Sequence, residues 1–211
     1  MKFYDCATAP SPRRVRMFIA EKNIADKIPV VEVDLGNLEQ HSEAFAELNP
    51  HRTVPVLELD DGTVLTSSHA VCRYLEEAFP SRPLMGRDLQ ERGQIADLEW
   101  RIEQEGFLAV GESFRNRARS FKNNAVTGKH EHKQIPELVE RGRTRASEFM
   151  QWLNMHLKNR QFIAGDNFSV ADITAFITID FAKWIKLEAP EEYANLHRWF
   201  GEVSKRPSAA L

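Results

Sequence analysis

Two serine-containing segments of this 211-residue chain stand where helices are expected to begin, and helix starts can hold anions. Ser11 precedes Pro12, so we predict Ser11 as an N-cap with proline in the first helical position. Ser67 and Ser68 precede an apolar helical stripe, where a serine can cap the helix and leave N–H groups for an anion. Because unpaired N–H groups and the positive end of the helix dipole meet at such a start, an anionic group is the expected ligand.

The cysteine and histidine residues predict neither a disulfide framework nor a metal centre. Cys6 and Cys72 are the two cysteines, no Cys-x-x-Cys is present, and Cys72 falls on an apolar stripe. His130 and His132 have no third or fourth ligand nearby in the sequence, so we expect no metal. Few cysteines favour a reducing compartment, and we predict a cytoplasmic protein.

The first eighty residues alternate strand and helix signals in the order β-α-β-α-β-β-α, which predicts an α/β layer. After a short first strand, Pro12 opens a helix, and further helices are predicted over 42–48 and 68–79. Strands are predicted over 28–35, 54–59 and 63–66, the last two joined by a hairpin turn.

Strand signals end at a linker over 80–86, which holds two prolines and a glycine. A long helix is predicted over 88–121 with bends near Gly106 and Gly111. Apolar stripes predict further helices over 138–157, 173–184 and 193–203, and Ser169 with Asp172 forms a variant capping box. We therefore predict two domains, an α/β domain over 1–80 and an all-α domain over 87–211.

The charge balance of 28 basic against 31 acidic residues gives no basic excess, so a nucleic-acid partner is not expected. No apolar run approaches the roughly 20 residues of a membrane span, and the first residues do not form a signal peptide.

Four motifs occur together in one order along the chain: AlaProSerProArgArgVal at 9–15, AsnPro at 49–50 with ThrValProValLeu at 53–57, ThrSerSerHisAla at 66–70 with CysArgTyrLeu at 72–75, and PheSerValAlaAspIle at 168–173. With these motifs the whole chain resembles the cytosolic glutathione transferases, with features similar to bacterial nu and theta classes. The resemblance implies a thioredoxin-like N-terminal domain, an all-helical C-terminal domain and glutathione as co-substrate.

The resemblance also implies contacts to glutathione. Pro55 is expected to be cis, so that Val54 presents its backbone to the cysteine of glutathione. Ser67 and Ser68 are expected at the γ-glutamyl end, where Ser67 stands in place of the family's acidic residue. Gln40 and Arg52 are expected near the glycyl carboxylate.

For catalysis, the resemblance places Ser11 beside the thiolate, with Thr8 as the alternative partner. An electrophile is expected between the domains, against Phe107, Gly111 and Phe114. The leading hypothesis is a homodimeric transferase of detoxification, in which the thiolate attacks a small electrophile. Glutathione-dependent disulfide reduction and non-catalytic binding on the same fold remain alternatives.

Overall fold

The computed structural model describes residues 1–211, and the chain divides into two compact units. The first unit comprises Met1–Arg82, Val126–His130 and Leu211, and the second comprises Pro83–Ala125 and Glu131–Ala210. None of the helices has the length and apolar character needed to cross a membrane.

The first unit is built on a four-stranded mixed sheet of order β2-β1-β3-β4, which confirms the predicted α/β class. β1 runs parallel to β2 and antiparallel to β3, and β4 is antiparallel to β3. The strands are β1 Lys2–Asp5, β2 Val30–Glu32, β3 Val56–Glu58 and β4 Val64–Leu65. The helices are α1 Pro10–Lys22, α2 Glu43–Leu48 and α3 Ser68–Ala78. Phe3, Phe18, Leu57 and Leu75 are fully buried and form part of its core.

The second strand is shorter than the predicted 28–35. The strand is Val30–Glu32, and its hydrogen bonding to β1 ends at Val33, whose N–H donates to the carbonyl of Asp5 at 2.7 Å. Beyond it the N–H of Leu35 turns back to the carbonyl of Val33 at 3.1 Å. This strand is at the edge of the sheet, and Val30 is 57% exposed. Its β-branched residues therefore satisfy the strand conformation without belonging to the core.

The second unit is helical, as predicted. Its elements are α4 Leu89–Arg101, a π-helical segment Ile102–Phe107, α5 Leu108–Arg117, α6 Pro136–His156, α7 Val170–Ala182 and α8 Ala194–Ser204. The predicted long helix thus changes geometry near Gly106 and ends at Arg117, whereas the expected bend at Gly111 is wrong because Gly111 lies inside regular α5.

Two contacts fit the π-helical segment to its neighbours. A Cβ atom at Gly106 would lie 2.8 Å from the ring of the buried Phe149, so only glycine fits there without displacing the ring. Arg145 donates from Nη2 to the carbonyl of Gln104 at 2.6 Å, which satisfies a carbonyl inside the distorted turn.

Asp172 organises the start of α7 and confirms the predicted capping box. It is fully buried, and its Oδ2 accepts hydrogen bonds from the N–H and the hydroxyl of Ser169 at 3.0 Å. Its Oδ1 accepts from the N–H of Ile163 and from Nε1 of Trp199, both at 2.9 Å. Burial raises the pKa of Asp172 to about 6, although these four donors favour the ionised form.

Candidate functional site

The first helix begins two residues earlier than predicted. Ala9 is the N-cap of α1, Pro10 is the first helical residue, and the prediction of Ser11 as N-cap is wrong. The reason is the turn before the helix: the N–H of Ala9 donates to the carbonyl of Cys6 at 3.0 Å, and the carbonyl of Ala9 accepts the N–H of Arg13 at 3.2 Å. Proline is favourable at the first helical position because it has no N–H to leave unpaired.

The start of α1 consequently offers few hydrogen-bond donors. Pro10 and Pro12 have no N–H, and the N–H groups of Ala9 and Arg13 are already paired. The N–H and the hydroxyl of Ser11 have no partner within the chain, which makes Ser11 the free donor of the first helical turn. Thr8 precedes this turn, exposed, with its hydroxyl 3.4 Å from the sulfur of Cys6.

Val54 presents a free backbone edge beside a proline. The Val54–Pro55 bond is cis, as the resemblance implies. The side chain of Val54 packs against the apolar cluster of Val33, Phe45 and Val56. Neither its N–H nor its carbonyl makes a hydrogen bond within the chain, because pairing in β3 starts only at Val56. An extended peptide can therefore pair with this residue as an added strand.

Asn49 shapes the segment that leads to Val54. It is completely buried, and its Nδ2 donates to the carbonyl of Thr53 at 2.8 Å. Its Oδ1 accepts the N–H of His51 at 3.0 Å, and its carbonyl accepts the N–H of Arg52, which has a left-handed φ of 55°. The sequence placed Asn49 in the AsnPro motif at 49–50 but gave no sign that its side chain would hold the segment leading to Pro55.

A serine caps the start of α3, as predicted, but the hydroxyl of the second serine is bound within the chain. The Ser67 hydroxyl accepts the N–H of Ala70 at 3.1 Å and caps the helix. The buried Ser68 donates its hydroxyl to the carbonyl of Ser11 at 3.0 Å, which joins the starts of α3 and α1. Ser68 therefore has its backbone N–H, and not its hydroxyl proton, free for an anion in this structure.

Gln40 and Arg52 both retain unused polar groups. Gln40 lies in a short 3-10 turn, Glu39–His41, and its buried Oε1 has no hydrogen-bond partner. The guanidinium of Arg52 makes no hydrogen bond or ion pair within the chain. A carboxylate could accept hydrogen bonds from the Arg52 guanidinium and from the Nε2 amide of Gln40, whereas the unpaired Oε1 of Gln40 can only accept.

The helical unit brings the three predicted electrophile-pocket residues onto one aromatic cluster. The rings of Phe107 and Phe114 each lie 5.6 Å from the ring of Phe181, and a Cβ at Gly111 would lie 4.0 Å from that ring. Trp184 contacts Phe114 edge-on at 5.2 Å and is 48% exposed. The sequence placed Phe181 and Trp184 on the apolar stripe of a predicted helix but gave no sign that they would lie beside Phe114.

No group of three or more histidine, cysteine, aspartate or glutamate side chains is arranged to hold a metal ion. Both cysteines are buried, and neither forms a disulfide.

Comparison with known proteins gives the same domain order. Residues 8–78 match the model of the glutathione S-transferase N-terminal domain, and residues 102–207 match that of the C-terminal domain. Glutathione S-transferase 2 of Saccharomyces cerevisiae is 34% identical over 208 residues, covering 99% of this chain and 87% of the relative. Glutathione S-transferase GstA of Escherichia coli O157:H7 is 28% identical over 180 residues, covering 84% of this chain and 81% of that protein.

Solved structures of two proteins superpose on nearly the whole chain. A glutathione S-transferase domain-containing protein of Marinobacter aquaeolei VT8 superposes with a TM-score of 0.91 at 38% identity, covering 99% of both chains. Gtt2 of Saccharomyces cerevisiae superposes with a TM-score of 0.90 at 34% identity, covering 100% of this chain and 99% of that one. With both domain models matched in order and relatives of this identity aligned over nearly the whole chain, the protein belongs to the glutathione S-transferase family.

Proposed function

We propose that the protein binds glutathione on its first unit, lowers the pKa of the glutathione thiol and directs the thiolate at the electrophilic carbon of a small apolar molecule. The observation that carries this proposal is the free backbone N–H and carbonyl of Val54 beside a cis proline, because these two groups fit the cysteinyl residue of glutathione as an added strand.

The free donors of Ser11 support thiol activation. A thiolate near the start of α1 would accept from the Ser11 hydroxyl or N–H and would face the positive end of the helix dipole. Lowering a thiol pKa from ~8.5 by about two units requires about 2.7 kcal/mol, which one charge-assisted hydrogen bond and the dipole can supply. Thr8 is the alternative partner.

The remaining glutathione contacts follow the free groups. Ser68 offers its N–H to the γ-glutamyl carboxylate, and Ser67 stands beside the γ-glutamyl ammonium. The glycyl carboxylate accepts from the Arg52 guanidinium and from the Nε2 amide of Gln40. The aromatic cluster around Phe114 supplies apolar surface for the second substrate. We further propose a cytoplasmic homodimer that acts in detoxification, and two cysteines that form no disulfide fit a reducing compartment.

Disulfide reduction is the second candidate, in which the same thiolate attacks sulfur and not carbon. The short supply of donors at the start of α1 favours it, because a mixed disulfide is attacked readily by a thiolate of only moderately lowered pKa.

Two measurements test these proposals. Retention on immobilised glutathione, with elution by free glutathione, is expected, and failure to bind would favour a non-catalytic protein with another ligand. The rates with 1-chloro-2,4-dinitrobenzene and with the mixed disulfide of glutathione and mercaptoethanol are then compared. A faster reaction with the chloroarene supports the transferase, and a faster reaction with the disulfide supports the reductase.

A further inference from the structure

Arg16 holds the turn that connects β1 to α1. Its side chain runs back toward the start of α1, as long helical side chains do, and reaches three acceptors. Nη1 donates to Oδ1 of Asp5 at 2.5 Å and to the carbonyl of Cys6 at 3.1 Å, and Nη2 donates to the carbonyl of Ala7 at 2.9 Å. Both Asp5 and the Arg16 guanidinium are largely buried, with side-chain exposures of 4% and 15%. This is a fixed contact and not a mobile surface pair.

These contacts set the direction of the next peptide group. The Ala7–Thr8 peptide bond is trans, and in a trans peptide the carbonyl and the N–H point in opposite directions. Because Arg16 binds the Ala7 carbonyl, the N–H of Thr8 must point away from Arg16, and it has no acceptor within the chain. The preceding peptide group is also held, because Oε1 of Glu32 accepts the N–H of Ala7 at 2.9 Å. Two charged side chains thus fix consecutive peptide groups of an exposed turn.

Resting on the proposed function, we propose that Arg16 is a positioning residue that keeps the Thr8 N–H directed at the glutathione sulfur, so that Thr8 and Ser11 stabilise the thiolate together. Pro10 and Pro12 have no N–H, so few backbone donors remain at the start of α1, and the Thr8 N–H is one of them. If the Ala7–Thr8 peptide rotated, a carbonyl oxygen would replace the N–H and would repel the thiolate.

The effect comes from orientation and not from the positive charge itself. The ionisable groups around the turn are Asp5, Cys6, Arg16 and Glu32. Burial raises the pKa of Asp5 and Arg16 opposes that rise, and the opposite charges of the pair largely cancel at a distance. A lysine at position 16 would keep the charge near Asp5 but would lack the planar fork that reaches both carbonyls.

The experiment measures the thiolate absorbance of bound glutathione against pH in the wild type, Arg16→Met, Arg16→Lys and Glu32→Ala. Arg16→Met is expected to raise the thiol pKa by about one unit, which is a tenfold loss of thiolate below that pKa. Arg16→Lys and Glu32→Ala are expected to raise it by about half a unit, which is roughly a threefold loss. With 1-chloro-2,4-dinitrobenzene, kcat of Arg16→Met should fall about tenfold at pH 6.5 and recover at high pH, with KM for glutathione changed less than threefold.

Arg73→Met is the matched control, because Arg73 is exposed on α3 and pairs only with Glu77 one turn away. It removes the same charge and should leave the thiol pKa unchanged. An unaltered thiol pKa in Arg16→Met, or a loss of kcat that is equal at every pH, would overturn the inference. If Arg16→Met does not fold, Arg16→Lys decides in the same way, because a lysine keeps the charge near Asp5 and lacks the fork that reaches both carbonyls. Failure of the wild type to bind glutathione or to lower its thiol pKa would instead reject the proposed function.

Discussion

Ser11 is the residue on which thiol activation is expected to depend most directly, because the prolines on both sides of it carry no N–H groups. Its carbonyl is held by Ser68, so its own backbone is fixed while its hydroxyl is free to turn toward a ligand. A free hydroxyl next to a fixed N–H is a suitable pair of donors for one sulfur anion.

We therefore expect Ser11→Ala to raise the pKa of bound glutathione by about one unit, since one donor to the thiolate is lost. Absorbance titration of the complex measures this pKa. Ser68→Ala is a useful companion, because it removes the contact that holds the Ser11 carbonyl and leaves the Ser11 hydroxyl in place. An unchanged pKa in Ser11→Ala would assign the thiolate to Thr8 or to backbone N–H groups alone.

A second expectation concerns Ser67, which stands where the family's acidic residue is expected and also caps α3. Ser67→Asp keeps a capping oxygen and adds a charge beside the γ-glutamyl ammonium, so glutathione should bind about 1–2 kcal/mol more tightly, roughly five- to thirtyfold. Ser67→Glu adds the same charge without a good cap and should lose about 1 kcal/mol of stability. Calorimetric titration at low and high salt gives the affinities, and equal or weaker binding by both variants would mean that another group already supplies the charge.

Asp172 gives a pH-dependent expectation. Its pKa is about 6 in the folded chain against 3.8 as the ordinary value, so the folded chain binds this proton more tightly. The resulting stabilisation is complete below pH 3.8 and is lost as the pH rises through 6. Asp172→Asn cannot titrate at this position. As the pH falls from 7.5 to 5, the free energy of unfolding of the wild type should therefore rise by about 1 kcal/mol relative to that of the variant. Urea unfolding followed by tryptophan fluorescence measures the free energy of unfolding of both proteins. A difference between them that does not change with pH would contradict the raised pKa.

At the scale of elements, the helical unit depends on close approach between α5 and α6. A Cβ at Gly142 in α6 would lie 2.6 Å from the carbonyl oxygen of Ala109 and 2.7 Å from the nitrogen of Ser113, both in the backbone of α5. Neither atom can move without displacing its helix, so the small residue sets the distance between the two helices.

Gly142→Ala is therefore expected to lower the free energy of unfolding by about 2–3 kcal/mol. Gly93 is the control, because it lies inside α4 and a Cβ added there would meet no atom within 4 Å, so Gly93→Ala should raise stability by up to about 1 kcal/mol. Thermal and urea unfolding compare the two variants. Similar stability of both would show that α5 and α6 can separate at little energetic cost.

At the scale of the whole molecule, two compact units carry different parts of the proposed chemistry. The first holds the free backbone groups and helix starts that suit glutathione, and the second holds the aromatic cluster that suits an apolar substrate. Two separate domain models likewise match the chain, at residues 8–78 and 102–207.

A homodimer is the expectation at this scale. A first unit of about eighty residues has a large surface relative to its volume, and association would bury part of that surface. Light scattering at micromolar concentration should give twice the 24.2 kDa mass of one chain. A mass of one chain at that concentration would exclude a stable dimer.

The sequence by itself determined the α/β and all-α parts, the helices after residue 87 and a serine cap at the start of α3, because periodicity and capping are local properties. Tertiary structure alone decided which polar groups stay free. The start of α1 moved to Pro10 because Cys6 pairs with Ala9, and the Ser68 hydroxyl turned to Ser11 because α3 and α1 lie together. The side chains of Asn49 and Arg16 bind carbonyl groups of nearby turns, and Phe114 contacts Trp184, which is distant along the chain. These contacts depend on the directions that the side chains take in the folded chain, which a local sequence pattern does not determine.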